Sequence, residues 1–441
     1  MPQDPLKERH EHGILKFPEG FLWGAATSAY QVEGNNTNAD WEEFKSAGKA
    51  CDQYNLYEQD FKLAKQLNHN AHRLSIEWSR IEPKEGEFNQ AEIGHYVKEL
   101  KLLKSLNMTV MLTLWHFTLP KWVADKGGWE NRKTPFYFER FVKKIVPEIS
   151  DYVDLWITLN EPGVYVYESY IERVWPGAKK SWFGQIKTFL NLVSAHKRVY
   201  KYLHSQFSAG PLRSKASKPV GIANNILSFE SFHKHSLREQ IAVWANDLFV
   251  NHLFYILTKN THDFLGINYY FHVRFKDSKL MPQPKDITGQ IHDISDLGWE
   301  IYPEGIFEVL TDLADDIPIY ITECGIASTN DDRRNRFLIS YLQEVARAIK
   351  SGVNVRGFFY WSLIDNFEWH LGFDPKFGLI EVDYETEKRH IKPSALVYTD
   401  IIQNNGIPHA LLRFIGHTVQ AEEVLEKRQK EIEKELSSVK R

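Results

Sequence analysis

The chain has 441 residues, 43% hydrophobic and 25% charged, which is enough to enclose a large core. Its net charge of −4 argues against a nucleic-acid partner and against an acidic membrane surface. Cys51 and Cys324 fit no metal-ligand spacing, residues 1–13 lack the apolar run of a signal peptide, and no stretch is long and apolar enough to span a membrane. We therefore expect a cytoplasmic protein with two free thiols and no metal.

Short apolar runs rich in β-branched and aromatic residues predict strands that are buried on both faces. Eight such runs follow one another in the chain, at 21–28, 71–78, 109–117, 155–161, 220–226, 263–270, 319–325 and 355–363.

Helical periodicity occupies the intervals between these runs. In 136–149 one apolar stripe consists of Phe138, Phe141, Val142, Ile145 and Ile149. In 335–351 a second stripe consists of Leu338, Tyr341, Leu342, Val345 and Ile349, with Gly352 placed to cap the helix.

Strands alternating with helices predict a single (β/α)8 TIM barrel. The alternative is a doubly wound open sheet, but no glycine-rich phosphate loop follows the first strand. We divide the chain into a polar N-terminal segment (1–16), the barrel (17–406) and a charged, helix-forming C-terminal extension (407–441). The extension is expected to be a solvated helix; the alternative is a helix that packs on the barrel or on a second subunit.

Two glutamates stand where predicted strands end, which in a parallel barrel is the end that carries the active site. Glu161 follows the fourth strand and Glu323 ends the seventh, so both should reach the same mouth. Pro162 predicts an extended backbone at Glu161. Each carboxylate alone could also serve a helix cap or an ion pair. As a pair they suit glycoside hydrolysis, with retention at about 5–5.5 Å separation and inversion at about 6.5–9.5 Å.

A series of motifs resembles glycoside hydrolase family 1, the retaining β-glycosidases. The resemblance covers roughly residues 17–406 and rests on eight segments in the family's order: FPEGFLWGAATSAYQVEG, HRLSIEWSR, LTLWHFTLPKWV, TLNEP, FLGINYY, GWEIYPEG, YITECG and YWSLIDNFEWHLGFDPKFGL.

The resemblance implies a retaining exo-β-glycosidase that acts on β-D-glucosides, with β-galactosides or β-fucosides also open. It makes Glu161 the general acid/base and Glu323 the nucleophile, supported by Arg73 and Asn268. No cofactor is implied, and the implied partner is a small β-glycoside or oligosaccharide. The implied sugar-binding residues are Gln31, His116, Asn160, Tyr270, Trp299, Trp361, Glu368 and Trp369.

Glu368 also bears on the substrate, because an anion at that position would repel a 6-phosphate on the sugar.

The chain departs from the family pattern at four places. Cys324 follows the nucleophile where Asn is usual, as either a small buried residue or a reactive thiol. Phe117 replaces a common Trp, and Lys376 a frequent Arg. The link before the sixth strand is reduced to about TKNTHD, from which we expect a more open leaving-group side and broad leaving-group tolerance.

The sequence leaves three alternatives to a retaining β-glycosidase. A transglycosylase could use the same covalent intermediate. A non-catalytic carbohydrate- or protein-binding barrel would be expected to have lost one of the two glutamates, and both are present. A metal-dependent hydrolase could use Glu77, His116 and Glu323 as ligands, although no His-x-His strand motif is present.

Overall fold

A closed barrel of eight parallel strands forms the centre of the computed structural model, which describes residues 14–177, 181–208, 210–212, 218–276, 293–412 and 415. Each strand pairs with the next in the chain, and the eighth closes on the first. This closure excludes the open sheet and confirms the (β/α)8 barrel. We label the strands β1 to β8: Leu22–Ala26, Ala71–Ser75, Thr109–Thr113, Leu155–Asn160, Val220–Asn225, Phe264–Asn268, Ile319–Cys324 and Val355–Trp361.

Eight helices alternate with these strands around the barrel. In chain order we label them α1 to α8: Gln53–Gln66, Gln90–Ser105, Thr134–Ile149, Trp182–Ser208, Leu237–Asp247, Pro303–Asp312, Asp331–Lys350 and Pro393–Gln403. Helix α5 continues through a π-helical turn, Leu248–His252, into the short helix Leu253–Leu257.

The predicted apolar stripes face the barrel. All five residues of the α3 stripe are buried, as are four of the five in α7, with Ile349 partly buried. Helix α7 begins earlier than predicted because the side chain of Asn330 accepts hydrogen bonds from the first-turn amides of Asp332 and Arg333. It ends before Gly352, whose φ of 100° is the left-handed conformation that glycine tolerates.

Shorter elements fill the connections between the main strands and helices. The helices are Ala29–Val32, Trp41–Phe44, Trp78–Ile81, Lys121–Asp125, Pro162–Val166 and His409–Leu412, with a π-helix at Tyr167–Glu172 and 3-10 turns at Gly128–Glu130, Ser150–Tyr152 and Trp369–Leu371. Three strand pairs lie outside the barrel: Ile14–Lys16 with Gly406–Pro408, Ser228–Ser231 with His272–Phe275, and Ile380–Asp383 with Lys388–Ile391.

The two ends of the barrel segment are held together. Ile14–Lys16 and Gly406–Pro408 pair as antiparallel strands, and Trp23 Nε1 donates to Asn405 Oδ1 at 2.9 Å. The strand pair includes residues outside the predicted barrel segment, 17–406, at both of its ends. The C-terminal extension is described only for 407–412 and 415, so its predicted helix lies outside the described residues. None of the described helices is both long and apolar enough to cross a membrane.

The short link before β6 lies at the face of the barrel opposite the mouth. The helical segment ends at Leu257 and β6 begins at Phe264. Within the link, Asp263 donates its amide to the carbonyl of Val220, the first residue of β5, and its carboxylate accepts the amide of Val220. The expectation that this short link cuts back a wall of the mouth is therefore wrong, because a helix-to-strand connection reaches the amino end of the strand.

Candidate active site

Ten of the twelve residues singled out from the sequence form one network of hydrogen bonds and ring contacts where the barrel strands end. Trp299 joins this network through its ring contact with Tyr270, at 5.9 Å between centroids. The other nine are Arg73, His116, Asn160, Glu161, Asn268, Tyr270, Glu323, Trp361 and Trp369. Gln31 and Glu368 hydrogen-bond to each other, and the charge of Glu323 acts on Glu368.

Glu323 is bound by donors on both carboxylate oxygens. Arg73 Nη1 lies 2.5 Å from Oε1, and the hydroxyl of Tyr270 donates to Oε2 at 2.6 Å. The glutamate is 3% exposed and Arg73 is 1% exposed. Burying a carboxylate is costly unless a cation or strong donors accompany it, so Arg73 and Tyr270 stabilise its charged form here.

Arg73 is itself held in one orientation. Its other contacts are Thr113 Oγ1, the carbonyl of Thr322 and Asn160 Oδ1, the last at 2.7 Å. Since these contacts come from β3, β7 and β4, the guanidinium fixes Glu323 relative to the neighbouring strand ends.

The backbone of Glu161 is left-handed, with φ 42° and ψ 59°, and the predicted extended conformation is wrong. Pro162 disfavours the right-handed helical region for the preceding residue, but it leaves more than one alternative. In the left-handed conformation the amide of Glu161 reaches the carbonyl of Ala223 on β5 at 2.8 Å, and Pro162 begins the next helix. This turn points the side chain across the mouth.

The carboxyl group of Glu161 has a neutral partner, Asn268 Nδ2, at 2.6 Å. Burial, followed by the negative charge of Glu323, raises the pKa of Glu161 well above the usual range of a glutamate. The two glutamates therefore have different surroundings: Glu323 faces a cation and a hydroxyl donor, whereas Glu161 faces an amide. Such a difference suits two carboxyl groups in one site to different roles.

Gln31 and Glu368 lie side by side, with Gln31 Nε2 3.3 Å from Glu368 Oε2. Gln31 is also held by the hydroxyl of Ser28, the Oδ1 of Asn366 and the carbonyl of Phe367. Desolvation, followed by the charge of Glu323, raises the pKa of Glu368 to about 8. At neutral pH the carboxyl of Glu368 is therefore mostly protonated, and it can both donate and accept a hydrogen bond.

His116 is a neutral imidazole beside Asn160. Burial and the charge of Arg73 lower its pKa well below its usual value. Asn160 turns its oxygen to Arg73, so its Nδ2 donates to His116 Nε2 at 3.3 Å. The proton of the imidazole then resides on Nδ1, which is buried and has no hydrogen-bond partner among the described residues.

Aromatic rings line the rest of the mouth. The ring of His116 is nearly parallel to those of Trp361 and Trp369, at interplanar angles of 15° and 14°. On the opposite side, Trp299 contacts Phe271 at 4.7 Å as well as Tyr270.

Trp175 packs beside the pocket, and the sequence did not identify it as a site residue. Its ring lies 4.6 Å from Phe117 and 5.5 Å from Trp369, and its Nε1 donates to His370 Nδ1 at 3.1 Å. Because Phe117 is 3% exposed among these rings, it fills space beside the pocket. Nothing in the local sequence ERVWPG distinguishes this tryptophan from a core residue.

Cys324 points away from the pocket. Side chains alternate along a strand, so the cysteine faces the helices where Glu323 faces the mouth. It is fully buried, and this burial raises the pKa of its thiol well above the usual value. These properties match a small buried residue and not a reactive thiol. Lys376 donates to the carbonyl of Phe373 and stands over the ring of Tyr384, away from the carboxylates.

Glu77, one of the three residues considered as metal ligands, belongs to a different network. Its carboxylate accepts from Asn36, Ser79 and Thr118. Within the described part of the chain, one group of three possible ligand residues lies close together, Asp247, His252 and Asp312, on the outside of the barrel.

Comparisons with known proteins agree with this geometry. The family model described as glycosyl hydrolase family 1 matches residues 14–255 and 228–407. A 1,4-β-D-glucan glucohydrolase of Thermotoga neapolitana is 30% identical over 443 residues, which cover 89% of this chain and 100% of that protein. A β-galactosidase of Pyrococcus woesei is 28% identical and covers 89% of this chain and 98% of its own length.

A solved structure shares the fold over the same extent. The β-glycosidase from Pyrococcus horikoshii superposes with a TM-score of 0.84 at 36% identity, covering 92% of this chain and 100% of that one.

Proposed function

This chain belongs to glycosyl hydrolase family 1 and is a retaining β-glycosidase, and we propose that Glu323 is its nucleophile and Glu161 its general acid/base. The observation that carries this assignment is the asymmetry of the two carboxyl groups. Arg73 and Tyr270 stabilise the charged form of Glu323, whereas burial and the charge of Glu323 keep a proton on Glu161.

In the first step an oxygen of Glu323 attacks the anomeric carbon and forms a glycosyl ester. Glu161 gives its proton to the departing glycosidic oxygen as that bond breaks. Ester formation removes the negative charge of Glu323, which was one cause of the raised pKa of Glu161. The pKa of Glu161 then falls, so the same group can take a proton from water in the second step.

The sugar would be held by groups that surround these two carboxyls. Glu368 and Gln31 can pair with adjacent hydroxyls, and His116 would contact the sugar beside them. Asn160, which Arg73 holds in position, would bind the 2-hydroxyl, where a hydrogen bond strengthens in the transition state. Trp361 would carry the sugar ring, and Trp369 would close the pocket beside it. Trp299 would line the leaving-group side.

We propose β-D-glucosides, cleaved at the non-reducing end, as the main substrates, with β-galactosides and β-fucosides as further candidates. The names of the relatives, a glucan glucohydrolase and a β-galactosidase, support the first two sugars. A sugar 6-phosphate is disfavoured because the partner of Glu368 is the neutral Gln31, and no cation contributes to the shift of the Glu368 pKa.

We also propose that the enzyme works in the cytoplasm. Both cysteines are free and buried, as suits a protein that does not depend on disulfides.

The assignment is tested by mass spectrometry of the intact protein after reaction with 2,4-dinitrophenyl 2-deoxy-2-fluoro-β-D-glucoside. The fluorine slows both steps, and the activated leaving group lets the first step proceed without acid catalysis. Wild type and Glu161→Gln should each gain one fluorosugar, while Glu323→Gln should gain none. A label on Glu323→Gln, or a peptide map that places the label on another residue, would refute the assignment.

A further inference from the structure

The outer side of the barrel carries exposed apolar side chains on two helical segments, α4 and Leu237–Leu257. Of the fifteen large hydrophobic residues that are exposed in the described part of the chain, nine lie here. We call these nine the apolar face: Trp182, Phe183, Ile186, Leu190, Leu237, Ile241, Trp244, Phe249 and Ile256.

These side chains project far into solvent. Trp182, Phe183, Leu237 and Trp244 are 65–74% exposed. Leu237, Ile241 and Trp244 recur at intervals of four and three residues, so they form one stripe on α5. Phe183, Ile186 and Leu190 form the equivalent stripe on α4, while Gly184, Thr188 and Leu192 face the protein. Monomeric proteins rarely expose large apolar patches without a partner that covers them.

The two helical segments contact each other through aromatic rings. The rings of Phe189 on α4 and Phe254 lie 5.7 Å apart, edge to face. Further along α4, His196 contacts the ring of Phe254 at 6.0 Å and hydrogen-bonds to Thr261, just beyond the second segment.

Basic side chains lie beside the apolar face, together with the carboxylate of Asp312, which is 55% exposed and lies 2.9 Å from His252. Helix α4 contains no acidic residue among its 27 positions, and Lys187 is exposed beside the stripe. Arg238, Lys234 and Lys259 are exposed on or next to the second segment.

The two carboxylates of the second segment already have positive or donor partners. Glu239 is buried against His233, and Asp247 lies 3.2 Å from His252. The net charge of −4 for the whole chain hides this local basic character.

We propose that the apolar face is a docking surface for an anionic lipid bilayer, on which the enzyme lies without crossing it. Tryptophan and phenylalanine beside lysine and arginine are the composition of helices that insert one face into the headgroup region. Each basic residue near an anionic leaflet adds about 1 kcal/mol of attraction. A second copy of this chain is a poorer occupant, because the flanking cations would face one another without free carboxylates from either segment.

The proposal is tested by flotation of the full-length protein with vesicles, one set of phosphatidylcholine with phosphatidylglycerol and one of phosphatidylcholine alone. Wild type should float with the anionic vesicles, less with the neutral ones, and less again in high salt. The double variant Phe183→Gln/Trp244→Gln should lower the partition coefficient for anionic vesicles at least tenfold. The matched control is Phe136→Gln, an exposed phenylalanine on α3 outside the face.

Unchanged hydrolysis of a soluble nitrophenyl glucoside would show that each variant is folded. Wild type that stays unbound to both vesicle types overturns the proposal, and so does a double variant that floats as well as wild type. A solution mass of two chains that the double variant reduces to one, without vesicle binding, would identify the face as a subunit interface instead.

Discussion

The hydroxyl of Tyr270 donates to Oε2 of Glu323 at 2.6 Å, on the side of the carboxylate away from Arg73. Tyr270 follows β6 and Glu323 belongs to β7, so the bond spans two adjacent strands. It also connects the carboxylate to the leaving-group side, because the ring of Tyr270 contacts Trp299.

Replacing Tyr270 with Phe tests this bond while keeping the ring. A hydrogen bond to a charged group contributes about 1.5–3 kcal/mol, so we expect kcat/KM to fall roughly 10- to 150-fold. Steady-state kinetics with a nitrophenyl glucoside measure the loss. Tyr269→Phe is the matched control, because that hydroxyl bonds the carbonyl of Tyr302 outside the pocket. An equal loss in both variants would show a structural effect.

The pH dependence of kcat/KM should report the proton on Glu161. Its raised pKa keeps the group protonated at a pH where an ordinary glutamate is ionised, so activity is present below that pKa and is lost as the pH rises through it. We expect an alkaline limb for wild type with a poor leaving group. In Glu161→Gln with a dinitrophenyl glucoside, the alkaline limb should disappear. An unchanged limb in that variant would assign it to another group.

Discrimination against a 6-phosphate should increase with pH. Because the pKa of Glu368 is raised to about 8, its carboxyl is mostly neutral at pH 6 and mostly negative at pH 9, where it repels the phosphate more strongly. The measurement is the ratio of kcat/KM for nitrophenyl β-glucoside to that for its 6-phosphate at both values. In Glu368→Gln the ratio should change less with pH, and the remaining change reflects the second ionisation of the phosphate at about pH 6. A preference for the 6-phosphate would contradict the proposed substrate.

Both thiols should resist alkylation in the native protein. Cys51 and Cys324 are fully buried, and burial raises the pKa of each, which suppresses the reactive thiolate. Incubation with iodoacetamide should leave mass and activity unchanged, and denaturation should then expose two reactive thiols. Loss of activity together with modification of Cys324 before unfolding would show that the site admits reagent to that strand.

Hydrophobic patterning was sufficient to locate the barrel strands and to predict the stripes of α3 and α7. Those patterns depend on which side chains are buried, and the spacing of apolar residues within one short stretch of sequence indicates this. The side of the barrel at which a link lies depends on chain direction instead. The link at 258–263 was misplaced for that reason, and the expectation of broad leaving-group tolerance loses its basis.

The carboxylate pair was identifiable because both glutamates follow apolar strands. The backbone conformation and the neighbours of these glutamates were harder to predict from the sequence. A proline after Glu161 excludes one backbone region, but the choice of the left-handed conformation depends on the carbonyl of Ala223 in another strand. Trp175 contacts Phe117 and Trp369 across long sequence separations, so no local pattern identifies it.

The strand pair that joins the two ends of the barrel segment constrains how the protein is made. Trp23 and Asn405 are 382 positions apart, and Ile14 pairs with Pro408. A ribosome releases the chain from its amino end, so Ile14–Lys16 and the outer edge of β1 wait for their partners, Gly406–Pro408 and β8, through nearly the whole of synthesis. Barrel closure is therefore a late event, and a nascent chain halted before β8 leaves the outer edge of β1 unpaired and prone to aggregation.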